Sequence, residues 1–425
     1  MELNIGRYCN RRIVCSCGRE HYCPIEHVEI SRGALQHLPQ LLEGYRRIVL
    51  VADQNTDAAC GRGVWALLGA RVQRYLIYHR TGMLVPDERA VAELENALSP
   101  DTDFIVGVGS GVINDICKYV SFGRGLEYAI VATAPSMDGY ASSGAAMITN
   151  GMKVTYTTHP PRMIVGDVKV LRKAPIEMIR SGYGDIIGKY SSLNDWRLSA
   201  LMNGEHFCRE IYDLVMQVTD SIRDSAEAIV RRQEQAIADL TQALVLIGIT
   251  LSLLGSTRPG SGSEHHLSHF FEIVGLVRHE PHFTHGTDVA YATVVTAGMR
   301  EEIAALPEPA FDREDDAARQ AAWKRVYGPL AGEVEALQEE AGWYGRDLRP
   351  EYRARWQQIR QILADCPTAD ACRDMLTLAG FSLPAFEKMY GRQKIRDAML
   401  YGKDLKNRYS VLWLYYELFS GRKPA

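Results

Sequence analysis

Three histidines fall within five positions in Ser261-Gly-Ser-Glu264-His265-His266-Leu-Ser-His269. On a helix, residues four apart share a face, so His265 and His269 align while His266 points roughly 100° away. Downstream, Thr284-His285-Gly286 heads an apolar-periodic stretch from Asp288 to Leu306. Upstream, Gly184-Asp185-Ile-Ile-Gly-Lys189 sets an acid and a lysine four apart among apolar neighbours, which argues for burial. Clustered histidine with an upstream aspartate is the donor set of a catalytic divalent-metal site that keeps one position open. H-E-x-x-H is absent, so a zinc-protease reading has no support.

Two further segments carry chemistry. Gly107-Val-Gly109-Ser-Gly111-Val112-Ile113-Asn114-Asp115 follows an apolar run and opens a helical one. Glycine there lets backbone N–H groups approach a phosphate, and a helix N-terminus adds partial positive charge. The spacing is not G-x-G-x-x-G, and alone the segment reads equally as a tight strand-to-helix turn. Thr133-Ala134-Pro135-Ser136-Met-Asp138-Gly-Tyr-Ala-Ser142 places small hydroxyls and an acid after the next apolar run, where open α/β sheets bind ligands. Cys15-Ser-Cys17-Gly-Arg-Glu-His21-Tyr-Cys23 could hold a metal, but C-x-C is tighter than the usual paired-cysteine spacing. The expectation is a β-hairpin turning at Gly18, its cysteines acting as small apolar side chains.

These segments need elements to hold them. Short apolar runs at 47–53, 72–78, 104–109 and 128–133, with helical periodicity between them, predict a parallel sheet covered on both faces. A last strand is expected over Met163–Leu171, and helical periodicity dominates afterwards, as over 222–246 and 288–306. Residues 317–342 are charged and alanine-rich, which predicts a solvated helix pair. The division is an α/β dinucleotide-binding part, 1–165, and a helical metal- and substrate-binding part, 166–425.

Composition limits the partners. With 48 basic against 52 acidic residues the net charge is −4, which removes the electrostatic reason to expect nucleic acid or an anionic membrane. Leu240–Leu254 is the most apolar stretch, but Thr241, Gln242, Thr250 and Ser252 interrupt it, so a buried core helix is expected. The N-terminal residues lack the apolar core of a signal peptide. Nine cysteines, mostly scattered singly, suit a reducing cytosol better than a disulfide framework.

Taken together, GSGVIND, TAPSMDGYAS, GDIIGKYSSLNDW, RPGSGSEHHLSH and the following HG resemble the sn-glycerol-1-phosphate dehydrogenases, particularly their bacterial branch. That family sits among the iron-dependent alcohol dehydrogenases, glycerol dehydrogenases and dehydroquinate synthases. The resemblance runs from the strand ending at Asp53 to at least His285. It implies a Rossmann-like α/β domain with a parallel sheet, plus an all-α C-terminal domain. NAD or NADP and one divalent ion, zinc or nickel foremost, would be the cofactors. Gly111, Val112, Ile113, Asn114 and Asp115 would wrap the cofactor pyrophosphate. Thr133, Ala134, Pro135, Ser136 and Ser142 would lie along the nicotinamide side, and Asp53 would accept hydrogen bonds from the adenosine ribose. Asp185, His265 and His285 would hold the ion, with His282 the runner-up. Asp138 and His269 would face the substrate with Asp185.

The implied reaction interconverts dihydroxyacetone phosphate and sn-glycerol 1-phosphate, with the ion as Lewis acid and His269 or a water moving the proton. Arg258 and Lys189 are candidate donors to the substrate phosphate. A cytoplasmic homodimer that spans no membrane and binds no nucleic acid is expected. A glycerol or polyol dehydrogenase, or a dehydroquinate-synthase-like cyclase, is the alternative within the superfamily. A non-catalytic metal- or nucleotide-binding protein is the alternative outside it.

Overall fold

The computed structural model describes residues 4–149 and 152–422. The chain divides into two compact units: Met1–Ile186 with Asp220–Thr257, and Ile187–Thr219 with Arg258–Ala425.

The first unit carries strands β1 (Arg11–Val14), β2 (Glu20–Cys23), β3 (His27–Ser31), β4 (Ile48–Asp53), β5 (Val72–Tyr78), β6 (Phe104–Gly109), β7 (Glu127–Ala132), β8 (Gly144–Thr149), β9 (Met152–Thr157) and β10 (Met163–Asp167). Six of them form one parallel sheet in the order β3-β10-β7-β6-β4-β5. β6 and β10 are buried along their whole length, which is why their sequences are unbroken apolar runs rather than alternating ones. Leu38, Ile48, Leu50, Val64, Phe104, Val106 and Val131 pack into one core against this sheet. The four apolar runs between 47 and 133 become β4, β5, β6 and β7, with ends shifted by at most a residue.

Elsewhere the elements differ from expectation. The strand predicted over 163–171 stops at Asp167, whose carboxylate accepts the Lys169 N–H at 3.0 Å and caps a short helix, Val168–Leu171. Edge strand β3 and the β8–β9 hairpin are not anticipated by the periodicity, because neither is a buried apolar run. The helix expected over 222–246 breaks into Arg209–Arg223, Ala226–Val230 and Glu234–Leu254, with Arg232 at φ 57° in the last gap.

Glu234–Leu254 is long and apolar enough by length and composition to cross a bilayer, yet it is mostly buried within the protein, as a core helix should be. Its threonine hydroxyls are satisfied locally, Thr241 donating to the Ile237 carbonyl at 2.7 Å and Thr250 to that of Ile247 at 2.6 Å. At Gly248 an added Cβ would lie 2.4 Å from the Asp138 carbonyl oxygen. At Gly182, in the helix Ile176–Ile187, it would lie 1.9 Å from that of Pro135. Two helices therefore press directly on the 135–141 backbone, and only glycine permits it.

The second unit is helical. Its core is aromatic, with Phe270, Phe271, Tyr291, Trp323, Tyr390 and Trp413 among its members. Residues 317–342 do form two helices, Asp316–Tyr327 and Ala331–Ala341, but Trp323, Val326 and Tyr327 are buried, so the pair is half solvated. Residues beyond 300 supply much of this core.

Candidate active site

In the second unit, the helix Ser263–Arg278 carries His265 and His269, and His285 opens the helix His285–Ala304. The three rings converge: centroids lie 5.1 Å apart for His265–His285, 5.4 Å for His269–His285 and 6.2 Å for His265–His269. His282 stays outside this group, exposed, its Nδ1 2.9 Å from the Phe283 carbonyl. His266 is fully buried, and burial, followed by the charges of Lys406, Arg408 and Arg258, pushes its imidazole well below the usual range. It is a neutral core residue.

Which ring nitrogen faces the cluster is set by neighbours. His265 Nδ1 lies 2.7 Å from a carboxylate oxygen of Glu264. A carboxylate only accepts, so Nδ1 donates and Nε2 keeps its lone pair. Glu264 is itself held by the Gly262 N–H at 2.8 Å. Ser268 Oγ lies 3.3 Å from both the His285 carbonyl oxygen and His285 Nδ1. When the hydroxyl donates to the carbonyl it accepts from Nδ1–H, which again leaves Nε2 bare. Carboxylate–imidazole and hydroxyl–imidazole pairs of this kind orient histidines toward a divalent cation, so the donor chemistry fits one. Glu264 and Ser268 escape the sequence reading, although Glu264 stands directly beside His265. Glu264→Gln is expected to weaken metal affinity about 10–100-fold, with activity restored by excess metal in a titration.

A buried ion pair anchors the histidine helix. Asp195, within the SSLNDW stretch, accepts the Ser263 N–H at 2.6 Å and the Val411 N–H at 2.9 Å. Arg300 lies 2.9 Å from the same carboxylate, and both side chains are buried. Arg300 also donates to Asn194 Oδ1, the Ser191 carbonyl and Ser263 Oγ at 3.0–3.1 Å. The first turn of the helix bearing His265 is thus tied to Lys189–Asn203 and His285–Ala304.

In the first unit, the other predicted residues gather at the carboxyl ends of the central strands. Asp53 ends β4 and caps the next turn, accepting the N–H groups of Asn55 at 2.8 Å and Thr56 at 2.9 Å. Gly111 opens the helix Gly111–Arg124, so Gly111, Val112 and Ile113 present N–H groups with no partner inside the helix. The side chains of Asn114 and Asp115 are engaged with protein. Asn114 donates to the Gly139 carbonyl at 3.3 Å and accepts from Tyr128, and Asp115 lies 3.6 Å from Lys118.

Thr133, Ala134, Pro135, Ser136, Asp138 and Ser142 lie on one buried loop after β7. Its Asp138 N–H donates to Asp185 at 2.9 Å, so these two predicted residues meet. Ser181 Oγ donates to the Ser136 carbonyl at 3.1 Å. Lys118, absent from the sequence reading, reaches the Gly139 and Gly144 carbonyls at 3.1 and 2.8 Å and Ser142 Oγ at 3.3 Å. Burial pulls its ammonium below the usual range, opposed by Asp115.

The two cations expected at a substrate phosphate have protein partners. Lys189 Nζ donates to the Gly260 carbonyl at 2.9 Å. Arg258 forks onto Glu205 at 2.8–3.0 Å and donates to the Tyr409 carbonyl at 2.8 Å. The cations that bear on His266 from the 402–410 segment are Lys406 and Arg408, and Arg408 likewise has a protein partner, donating to the Ser261 carbonyl at 2.8 Å.

Residues 29–175 match the family described as iron-containing alcohol dehydrogenase. The chain is 30% identical over 415 residues to a glycerol-1-phosphate dehydrogenase (NAD(P)+) of Geobacillus stearothermophilus, covering 95% of this chain and 96% of that one. It is 34% identical over 292 residues to the protein of the same name in Halalkalibacterium halodurans, covering 67% and 73%. Among solved structures it is similar to maleylacetate reductase from Rhizobium sp. (TM-score 0.59, 15% identity, 95% of this chain and 99% of that one). It is also similar to glycerol dehydrogenase from Schizosaccharomyces pombe (TM-score 0.55, 18%, 87% and 92%). At these identities the likeness is one of fold: a Rossmann-like α/β N-terminal domain and a helical C-terminal one, as in the dehydroquinate-synthase-like architecture.

Proposed function

The chain belongs to the glycerol-1-phosphate dehydrogenase family, and on that premise we propose that it interconverts dihydroxyacetone phosphate and sn-glycerol 1-phosphate by NAD(P)-dependent hydride transfer. The observation that carries this reading is the similarity to the Geobacillus stearothermophilus protein along nearly the whole chain.

When bound, the divalent ion supplies Lewis acidity at the ketone oxygen, and the nicotinamide supplies or takes the hydride. His265 and His285 would hold the ion through Nε2, with Glu264 and Ser268 fixing their rings; Asp185 joins the set on the motif pattern. Zinc or nickel is the proposed ion. His269, on the same helical stripe as His265, would move the proton, with Asp138 at the substrate. Ligand imidazoles must be neutral, so activity should fall at acid pH as metal is released.

On the cofactor side, the N–H groups of Gly111, Val112 and Ile113 would meet the pyrophosphate, with Asn114 and Asp115 holding that turn in place. Thr133, Ala134, Pro135, Ser136 and Ser142 would line the nicotinamide. Asp53 would read the ribose and disfavour a 2′-phosphate, so Asp53→Ala should shift the NAD/NADP preference toward NADP by about tenfold in kcat/KM. An unchanged ratio removes Asp53 from that role. The 1–165 and 166–425 division stays as the functional one, in a cytoplasmic homodimer, on the strength of the resemblance.

Arg408, which donates to the Ser261 carbonyl at 2.8 Å just before the histidine helix, and Lys406 join Lys189 and Arg258 as the cations proposed for the substrate phosphate. Burial, then the charge of Arg258, brings the Arg408 guanidinium down to about 10, so it remains cationic at neutral pH. Arg408→Ala should raise the KM for dihydroxyacetone phosphate by at least about tenfold and spare that for NADH, as loss of a charge-assisted contact would. The test of the function is a substrate panel on metal-reconstituted protein with both cofactors. Preference for the phosphorylated ketone supports the proposal; preference for glycerol or dihydroxyacetone overturns it.

A further inference from the structure

The β1–β2 hairpin is buried on one side only, through Cys15, His21 and Cys23. β1 is exposed along most of its length, Val14 reaches 88% exposure, and the two strands pair with each other alone. A two-stranded hairpin is marginal on its own, and here β2 rests against the helix Glu234–Leu254.

At its turn the side chains of Cys15, Cys17 and His21 converge, with one donor atom from each lying within 4.8 Å of the others. Cys17 Sγ lies 3.3 Å from His21 Nε2. His21 Nδ1 lies 2.9 Å from the Leu253 carbonyl, near the end of the helix Glu234–Leu254. A carbonyl only accepts, so Nδ1 donates and the Nε2 lone pair is turned toward the sulfurs. The Cys17 N–H approaches Cys15 Sγ at 3.4 Å. Gly18, at φ 81°, folds the chain back so that its own N–H reaches the Cys15 carbonyl at 3.1 Å. Among the described residues no cysteine forms a disulfide. Cys23 points elsewhere in function: burial pushes its thiol up to about 12.

We propose that Cys15, Cys17 and His21 bind a thiophilic divalent cation, zinc foremost, as a structural site separate from the histidine cluster. In a tetrahedral zinc site, bonds of about 2.3 Å to sulfur and 2.0 Å to nitrogen put ligand atoms about 3.5–3.8 Å apart, within reach of small side-chain shifts from this arrangement. The tight C-x-C spacing argues against the site only when sequence is counted; the turn at Gly18 brings His21 across to complete three ligands. The Leu253 carbonyl plays the orienting role that outer-shell acceptors play at zinc histidines. The fourth ligand comes from outside the hairpin. Such an ion would fasten the hairpin to the end of the core helix.

The test uses full-length protein purified with its metal. Differential alkylation, read by peptide mass spectrometry, should find Cys15 and Cys17 protected together, and exposed together once a chelator strips the ion. Any third cysteine following them identifies the remaining ligand. His265→Ala/His285→Ala protein should still carry one zinc per chain and, after exchange into cobalt(II), show thiolate-to-cobalt charge transfer in the near ultraviolet. Cys15→Ser/Cys17→Ser should abolish that absorption. Equal alkylation of Cys15 and Cys17 with and without chelator would overturn the site, and the wild-type protein alone suffices for that arm. Cobalt–thiolate absorption persisting in Cys15→Ser/Cys17→Ser would do the same.

Discussion

His265→Ala and His285→Ala are each expected to lose bound metal and to lower kcat/KM for dihydroxyacetone phosphate by at least about 1,000-fold. The estimate is a loss of about 4 kcal/mol of charge stabilisation on the developing alkoxide at about 1.4 kcal/mol per decade. The geometry makes the prediction selective. Both rings are oriented through Nδ1, by Glu264 at 2.7 Å and Ser268 at 3.3 Å, and they lie 5.1 Å apart. His282→Ala is expected to retain metal and turnover, because that ring is exposed and turned to the Phe283 carbonyl. Metal content by mass spectrometry and steady-state rates, measured on the same samples, decide the matter. Full metal and turnover in His265→Ala would remove the imidazoles from the site.

The second large effect is on folding. Asp195→Asn keeps the shape of the side chain but leaves Arg300 buried without its counter-charge. Removing one partner of a buried ion pair costs about 3–5 kcal/mol, a large share of the roughly 5–15 kcal/mol by which domains are stable. The substitution also leaves the Ser263 N–H, at the start of the histidine helix, facing a neutral amide in place of a carboxylate. The expected result is an unfolding free energy lowered by that amount for the helical unit, read by denaturant titration, together with weaker metal binding. Wild-type stability and metal affinity in Asp195→Asn would show that the pair neither holds the unit nor places the histidines.

The side-chain types of the proposed metal site were legible because chemistry restricts them. Few residues ligate a divalent ion; His265 and His269 announce themselves by type and helical spacing, whereas His285 was picked out only by the resemblance, as the histidine followed by Gly286 and a helix. The partners that aim them were not. Glu264 and Ser268 are ordinary helix residues until His285 folds beside Ser268, and the Asp195–Arg300 pair joins positions 105 apart. Buried parallel strands were readable for the same reason that they are buried, as with Phe104–Gly109. Edge strand His27–Ser31 carries no such run. The break between Arg223 and Glu234 lacks glycine and proline, and the non-glycine residue Arg232 supplies the positive φ. The Cys15–Cys17 spacing misleads in the opposite direction, since a ligand set is a matter of distance and His21 is four residues away along a turn.

The most direct test of the central claim is the rate of NADH oxidation on adding dihydroxyacetone phosphate, followed while chelator-stripped protein is titrated with zinc or nickel. The account predicts no turnover in the stripped protein, a rate that climbs with bound metal, and sn-glycerol 1-phosphate as the product. Undiminished turnover without metal, or metal uptake with no oxidation of NADH, would contradict it.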